Sequence, residues 1–515
     1  MVNYFLGGGC ALLTGLSLAT WFRHRATLAM LLLLGAALLL RLLMAGLDPF
    51  LHDWDERFHA AVAHNLVAQP LRPALRPVAW LPYDYQAWCC NYIWLHKQPL
   101  FLWQMALSLK LFGSTTLALR LPSVLLSTVL LWPVYRLGSL IFGSALVGYL
   151  GALLVAFAYY QLEMVSGALG MDHNDIAFLT YVTASIWAYY EYRAGGAASR
   201  WLVLVGLLAG AAVLCKWLPG LLVYAGWGLD LLLRARQQRP LPELGRLLAS
   251  LAVAVVVLLP WQLYTAWQFP RESAYELAYN ARHFTQALEG HSEPWYFHLR
   301  LGPIHYGLLV FAILPGAGLA LRRPAAWPLL GMVGLVYGFF TLAATKMYSY
   351  AYLVSPLLLL LAALALGQAG RYVAARPARP ARQQVLASVC LLALIACDLR
   401  PWGIRKYHFQ EQTYGVLSGP LRRQARQARA AAYRQLTQAV PTNTVVFNAP
   451  SSDEQAILFF SGRAAYSGIP AEADVRRLRA QGVLVATYPA APGQELPAYL
   501  REPGVQQLAE LPGAW

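Results

Sequence analysis

Residues 52–59 read His52-Asp53-Trp54-Asp55-Glu56-Arg57-Phe58-His59, an ionisable run placed directly after the apolar stretch 26–47. Acids at the mouth of a stretch long enough to span a bilayer are costly near lipid, and their default reading is functional. Further polar groups follow in separate loops: His96 with Lys97; Asp172, His173 and Asp175; and His283, Glu289 and His291. A carboxylate among them can take the proton of an attacking hydroxyl, and a lysine can neutralise an anionic leaving group. Together they suit transfer of a group from a phosphate-linked donor. Each residue taken alone is as well explained by a solvated loop; convergence on one membrane face is what favours chemistry. His96 and His291 with a nearby carboxylate could hold a divalent cation (Zn, Mg or Mn), against the plainer reading of polar loop histidines.

The elements that must position these groups are membrane helices. With 515 residues, 58% apolar and only 12% charged, and a mean hydropathy of +0.46, the chain reads as a polytopic membrane protein. The formal charge of +16 falls in short Arg and Lys clusters between apolar runs, the pattern of topology control rather than of a nucleic-acid surface. Cys10, Cys215, Cys390 and Cys397 sit in apolar runs as small hydrophobes; a disulfide framework is not expected from them or from the vicinal Cys89-Cys90. The first apolar run lacks a basic segment before it and reads as a membrane segment rather than a cleaved signal.

A ruler of about 20 apolar residues per crossing gives about 11–13 transmembrane helices. Residues 26–47 lead outward, with Arg41 expected to pair with Asp48 or the acidic run. Residues 55–69 predict an amphipathic helix lying on the membrane surface. Trp80, Tyr83, Tyr85, Trp88, Tyr92 and Trp94 read as an interfacial aromatic belt, and residues 99–113 as a second interfacial helix. Residues 145–164 read as one crossing, and Lys216 and Lys346 fall in outer turns. The Arg-rich loops then alternate to one side and the acidic loops 48–99, 163–175 and 268–300 to the other, as the positive-inside rule requires. Residues 1–399 form the membrane catalytic domain in this reading. Residues 400–515 form a small α/β accessory domain on the outer side, with strands at 444–447, 456–460 and 483–488 and helices at 420–440 and 471–481.

The run 52–58, then His96-Lys97-Gln98-Pro99 leading into Leu111-Phe112-Gly113, and Leu119-Arg120-Leu121-Pro122 resemble motifs of the GT-C superfamily of polyprenyl-phosphate-sugar-dependent transferases. The likeness is greatest to its protein O-mannosyltransferases and lipid A aminoarabinose transferases. Leu214-Cys215-Lys216-Trp217-Leu218-Pro219-Gly220, Pro294-Trp295-Tyr296 and Thr345-Lys346-Met347-Tyr348-Ser349-Tyr350 follow in the family's order. The resemblance implies an inverting transferase of the bacterial inner membrane, acting at the periplasmic face on an undecaprenyl or dolichyl phosphate sugar. The acceptor would be a glycolipid, a protein or a polysaccharide, and no nucleic acid is involved. It places the first-loop acid on Asp55, with Glu56 second, and the second-loop acid on Asp172 or Asp175. Lys97 becomes the phosphate-binding lysine, Lys216 and Lys346 further basic positions of the donor path, and Arg57 a match to the arginine that follows the acid pair. No organic cofactor is implied. The rival class is a polyprenyl-lipid transporter or flippase, which would show repeated halves that this chain lacks.

Overall fold

The computed structural model describes residues 2–167, 173–195, 198–234, 240–374, 380–399, 419–450, 453–491 and 493–511. Among the described residues, 8 helices are long and apolar enough to cross a membrane, or 9 if the bent pair Ala145–Ala156 and Tyr159–Ser166 counts as one span. The 22-residue helix His173–Ala194 is long enough, but it carries Asp175 and Arg193 in its end turns. The chain is a multi-pass membrane protein. It divides into two compact units, Met1–Met44 with Ser123–Val165 and His173–Arg405, and Ala45–Pro122 with Ser166–Asp172 and Lys406–Trp515.

The first unit is helical, and two expectations are corrected within it. Residues 145–164 are not one continuous helix: the helix breaks after Ala156 and resumes at Tyr159, bent by 46°. The break leaves carbonyls without helical partners, and Arg41 takes them. Its guanidinium donates to Ala156 O at 3.0 Å, Val155 O at 3.3 Å and Ser127 Oγ at 2.9 Å. A buried arginine is tolerable only when its donors are satisfied, and here the broken helix meets that need in place of the expected acid.

The second unit joins the first loop to the C-terminal segment. A parallel sheet runs β2-β1-β3-β4, with β1 at Thr444–Phe447, β2 at Ala464–Ala465, β3 at Leu484–Thr487 and β4 at Val505–Gln507. Residues 456–460, expected as a strand, lie inside the helix Glu454–Ser461. Parallel neighbours need a crossover, and this helix supplies it between β1 and β2. It reads as a strand because it is apolar on nearly every side, being packed both on the sheet unit and on the loop helix Asp55–Ala68.

That contact corrects a second expectation. Asp55–Ala68 is not a one-sided amphipathic helix, since Asp55 to Ala63, Asn65 and Leu66 are all buried. Pro99–Phe112 covers one side and Glu454–Ser461 another. The aromatic run is likewise partly core: Trp94 is 0% exposed, and Trp80 with Leu81 packs against the apolar centre of the sheet.

Candidate active site

In the second unit, Asp55 and Glu56 open the loop helix, and their carboxylates meet different surroundings. Arg120 binds Glu56 with two hydrogen bonds, Nε to Oε1 at 2.7 Å and Nη2 to Oε2 at 3.0 Å, and both side chains are 0% exposed. The rest of the guanidinium donates to the carbonyls of Ala45, Asp48 and Phe50, each at 2.8 Å. The His52 amide donates to Glu56 Oε2 at 2.6 Å. Gly167 closes the last side: at φ +77°, a Cβ there would lie 2.5 Å from Glu56 Oε1. This carboxylate is sealed, and it ties together the backbone on either side of the acidic run.

Asp55 faces Lys97 instead, Nζ to Oδ1 at 3.8 Å, with each side chain 13% exposed. The separation is too long for a hydrogen bond but short enough for each charge to favour the other. Lys97 is held in place by its own loop. Trp94 N donates to Pro73 O at 2.8 Å, an isolated bridge joins Ala74 to Ile93, and Pro99 then starts a helix. His96 stacks on Trp88 with centroids 5.2 Å apart.

Arg57 turns toward the C-terminal segment, pairing with Asp453 at 2.6 Å and with Asp53 at 2.7 Å. Asp453 also accepts from Arg429 at 2.9 Å and from the Tyr433 hydroxyl at 2.5 Å, while Asp53 pairs with Arg426. Asp48 pairs with Arg423 at 2.7 Å. Burial would raise the Asp48 carboxyl, but the His52 hydrogen bond and the charges of Arg423 and Arg120 hold it below its ordinary value. The His52 imidazole is pushed down by burial.

In the first unit, Asp175 stands in the first turn of its helix, pairs with Lys216 and accepts from Ser349 Oγ at 3.0 Å. The Lys216 ammonium lies over the Tyr350 ring, 5.2 Å from its centroid. These groups open on a cavity of about 470 Å³ whose walls include Phe178, Trp217, Phe284 and Phe340. A cation at the end of an apolar chamber is the arrangement that a long hydrocarbon with an anionic head requires. Gly220 lets the turn after Lys216 fold back, because a Cβ there would meet Val213 N at 2.6 Å.

Lys346 is differently employed: Nζ donates to Thr341 O at 3.1 Å and Ala343 O at 2.5 Å, and the residue is buried. His283 shares a hydrogen bond with Thr345 Oγ1 at 3.1 Å, His173 with Ser123 Oγ at 2.9 Å, and Glu289 accepts from Tyr279 at 2.7 Å. The His291 carbonyl accepts from Lys346 N at 3.1 Å. Asp172 lies outside the described residues. Among the described residues no group of three or more His, Cys, Asp and Glu side chains is arranged to hold a metal ion.

A backbone feature marks both acid–lysine pairs. Trp54 at φ 65° immediately precedes Asp55, and Trp217 at φ 64° immediately follows Lys216. A bulky residue in this region is strained by about 1–3 kcal/mol and persists only where its surroundings over-determine it, most often at functional sites.

Residues 96–264 match the family model described as dolichyl-phosphate-mannose-protein mannosyltransferase. An undecaprenyl phosphate-alpha-4-amino-4-deoxy-L-arabinose arabinosyl transferase of Pseudomonas fluorescens is 26% identical over 310 residues, covering 57% of this chain and 52% of its own length. The chain thus spans about half the length of the curated relative it matches. The crystal structure of ArnT from Cupriavidus metallidurans bound to undecaprenyl phosphate superposes with a TM-score of 0.59 at 18% identity, over 84% of this chain and 85% of that one. The oligosaccharyltransferase of Archaeoglobus fulgidus, in complex with Zn and sulfate, superposes with a TM-score of 0.54 at 14% identity, over 85% of this chain and 62% of that one. The chain has the GT-C-type membrane fold of these structures.

Arg120 and Ser349 stand within motifs read from the sequence but were given no role there. Arg120 had a further signal: an arginine inside the apolar run 116–142 must find an acid, and the acidic run is the nearest supply. Asp453 had none, since it is one polar residue among many, and only the fold brings it to Arg57.

Proposed function

We propose that this protein is a glycosyltransferase that moves a sugar from a polyprenyl phosphate carrier to an acceptor hydroxyl or phosphate, with inversion, at the periplasmic face of the bacterial inner membrane. The observation that carries the reading is the separation of two adjacent acids: Glu56 is sealed by Arg120, while Asp55 keeps some exposure and faces Lys97. Asp55 takes the acceptor proton as the acceptor oxygen attacks the anomeric carbon from the side opposite the phosphate. Lys97 neutralises the departing lipid phosphate. In the first unit, the cavity beside Asp175 and Lys216 has apolar walls suited to a prenyl chain, with Lys216 a further basic position of the donor path. The names of the relatives, an undecaprenyl-phosphate-dependent transferase and a structure bound to undecaprenyl phosphate, support this donor class.

The test is direct. Purified protein in lipid nanodiscs is incubated with a panel of undecaprenyl phosphate sugars and an acceptor mixture, and free undecaprenyl phosphate and the product's anomeric configuration are read. Acceptor-dependent release with inversion is expected. Binding of the lipid without release under any condition would overturn the enzyme reading in favour of transport, and retention of configuration would overturn the single displacement.

A further inference from the structure

The C-terminal part of the second unit holds a cavity of about 230 Å³ that the transfer chemistry above does not use. It opens where open parallel sheets bind ligands, beyond the carboxyl ends of the strands: Tyr466 to Pro470 follow β2, and Glu454 starts the helix that follows β1. The first loop supplies the opposite wall through Arg76, Tyr83, Asp84 and Tyr92. Tyr83 and Tyr92 meet at 57° with centroids 5.6 Å apart, and Arg76 lies 4.2 Å over the Tyr466 ring while its Nε donates to Ala465 O at 3.1 Å.

Glu454 makes this a site rather than a crevice. It is 7% exposed. Its Oε1 accepts from Gln455 at 3.3 Å, but Oε2 is buried without a hydrogen-bond partner among the described residues. A buried acceptor left unmade costs about 1–3 kcal/mol, and a ligand donor entering the cavity would recover it. Burial holds the Glu454 carboxyl above its ordinary value, so it can either accept from or donate to a hydroxyl.

The occupant's chemistry follows from the walls. Tyr83 and Tyr92 present aromatic surface, and a carboxyl and a guanidinium present directional partners, the combination that suits a ring with C–H faces and hydroxyl edges. Glu454 and Asp84 outnumber Arg76, which disfavours phosphate and carboxylate. The volume is below the roughly 300–1,000 Å³ of drug-sized pockets and fits a single ring. We propose that this cavity binds one neutral or amino-substituted sugar ring of the acceptor, making the acceptor a saccharide-bearing molecule. The assignment to the acceptor rests on the transferase reading; the binding of a sugar ring does not.

Saturation-transfer NMR of the full chain, in nanodiscs free of glycosidic detergent, uses methyl β-D-glucopyranoside, the methyl glycoside of glucosamine and glucose 1-phosphate as probes. Transfer to the first two and not to the phosphate is expected. Tyr83→Ala, at a half-exposed position, and Glu454→Leu, which replaces the buried carboxyl by an apolar group of similar size, should each weaken binding roughly 10-fold. Glu454→Leu should leave the melting temperature unchanged or higher, a split that a structural role would not produce. Tighter binding of the phosphate, no transfer to any sugar, or unchanged binding in both variants overturns the site. In turnover, Tyr83→Ala should raise KM for a glycan acceptor and not for the lipid donor; the reverse overturns the acceptor assignment. If no donor is turned over, the NMR result still decides the cavity and the failure belongs to the transferase reading.

Discussion

Glu56 and Asp55 are consecutive carboxylates on one helical turn, yet one is enclosed by its partners and the other stays partly open. Glu56 has its oxygens met by Arg120 and by the His52 amide. Asp55 has Lys97 at 3.8 Å and keeps 13% of its side chain exposed. A buried charge is tolerable only when its shell is complete, whereas a proton acceptor needs a shell with room for the substrate. The first unit offers a contrast between lysines: Lys346 is occupied by two backbone carbonyls, and Lys216 is paired with Asp175 on the wall of a cavity. In both units the difference lies in what completes the charge's surroundings.

The largest expected effect falls on the open acid. Asp55→Asn keeps the shape of the side chain and removes the base, so sugar transfer should fall by roughly 10²–10⁴, with the melting temperature of the detergent-solubilised protein preserved. Near-normal transfer would move the base elsewhere. The sealed acid should behave in the opposite way. Glu56→Gln or Arg120→Met leaves its partner buried and uncompensated, costing about 3–5 kcal/mol of stability. The double variant Glu56→Leu with Arg120→Met should recover much of the loss. If the single variants melted like the parent while losing activity, Glu56 would be reacting rather than supporting.

Much of the fold was legible because lipid imposes a strict ruler. Helices Ala26–Gly46, Ser199–Lys216 and Leu241–Gln268 lie where apolar length and the Arg-rich loops put them. The acid–lysine elements of the site were visible too, in runs such as Lys216-Trp217-Leu218-Pro219-Gly220, whose turn needs the left-handed Trp217 and the close approach of Gly220. Contacts between distant segments were not legible. Arg41 reads as a partner for Asp48 until the helix break at Ala156 offers carbonyls. The helix Glu454–Ser461 reads as a strand because the Asp55–Ala68 helix that buries its outer side lies some 390 residues away in the chain. The separate fates of Asp55 and Glu56 depend on Arg120, which lies 64 residues beyond Glu56.

The lysine contrast predicts a smaller effect. Lys216→Met should weaken binding of undecaprenyl phosphate roughly 10-fold, the scale of one hydrogen bond to a charged group. Lys346→Met should change it much less and act mainly on stability, because its ammonium already serves Thr341 and Ala343. A fluorescent polyprenyl phosphate titrated into each variant measures both constants. Equal losses would mean that occupation by carbonyls does not remove a lysine from ligand binding, and the contrast would fail.

The smallest effect is a pH dependence on the sealed side. His52 lies beside Glu56, with its Nε2 at 3.4 Å from Asp48, and burial pushes its imidazole below the ordinary value of about 6.5. A group whose folded value is depressed binds its proton more readily when unfolded, so stability from a neutral His52 is present above pH ~6.5 and is lost as pH falls through the folded value. Asp48, also held low, adds stability above its ordinary carboxylate range that is lost only at more acid pH. The melting temperature, followed from about pH 8 to about pH 2, should therefore decline in two steps. His52→Gln should remove the first and leave the second. A first step that survives in His52→Gln would show that another histidine carries it, and would detach the acid sensitivity of this unit from the shell around Glu56.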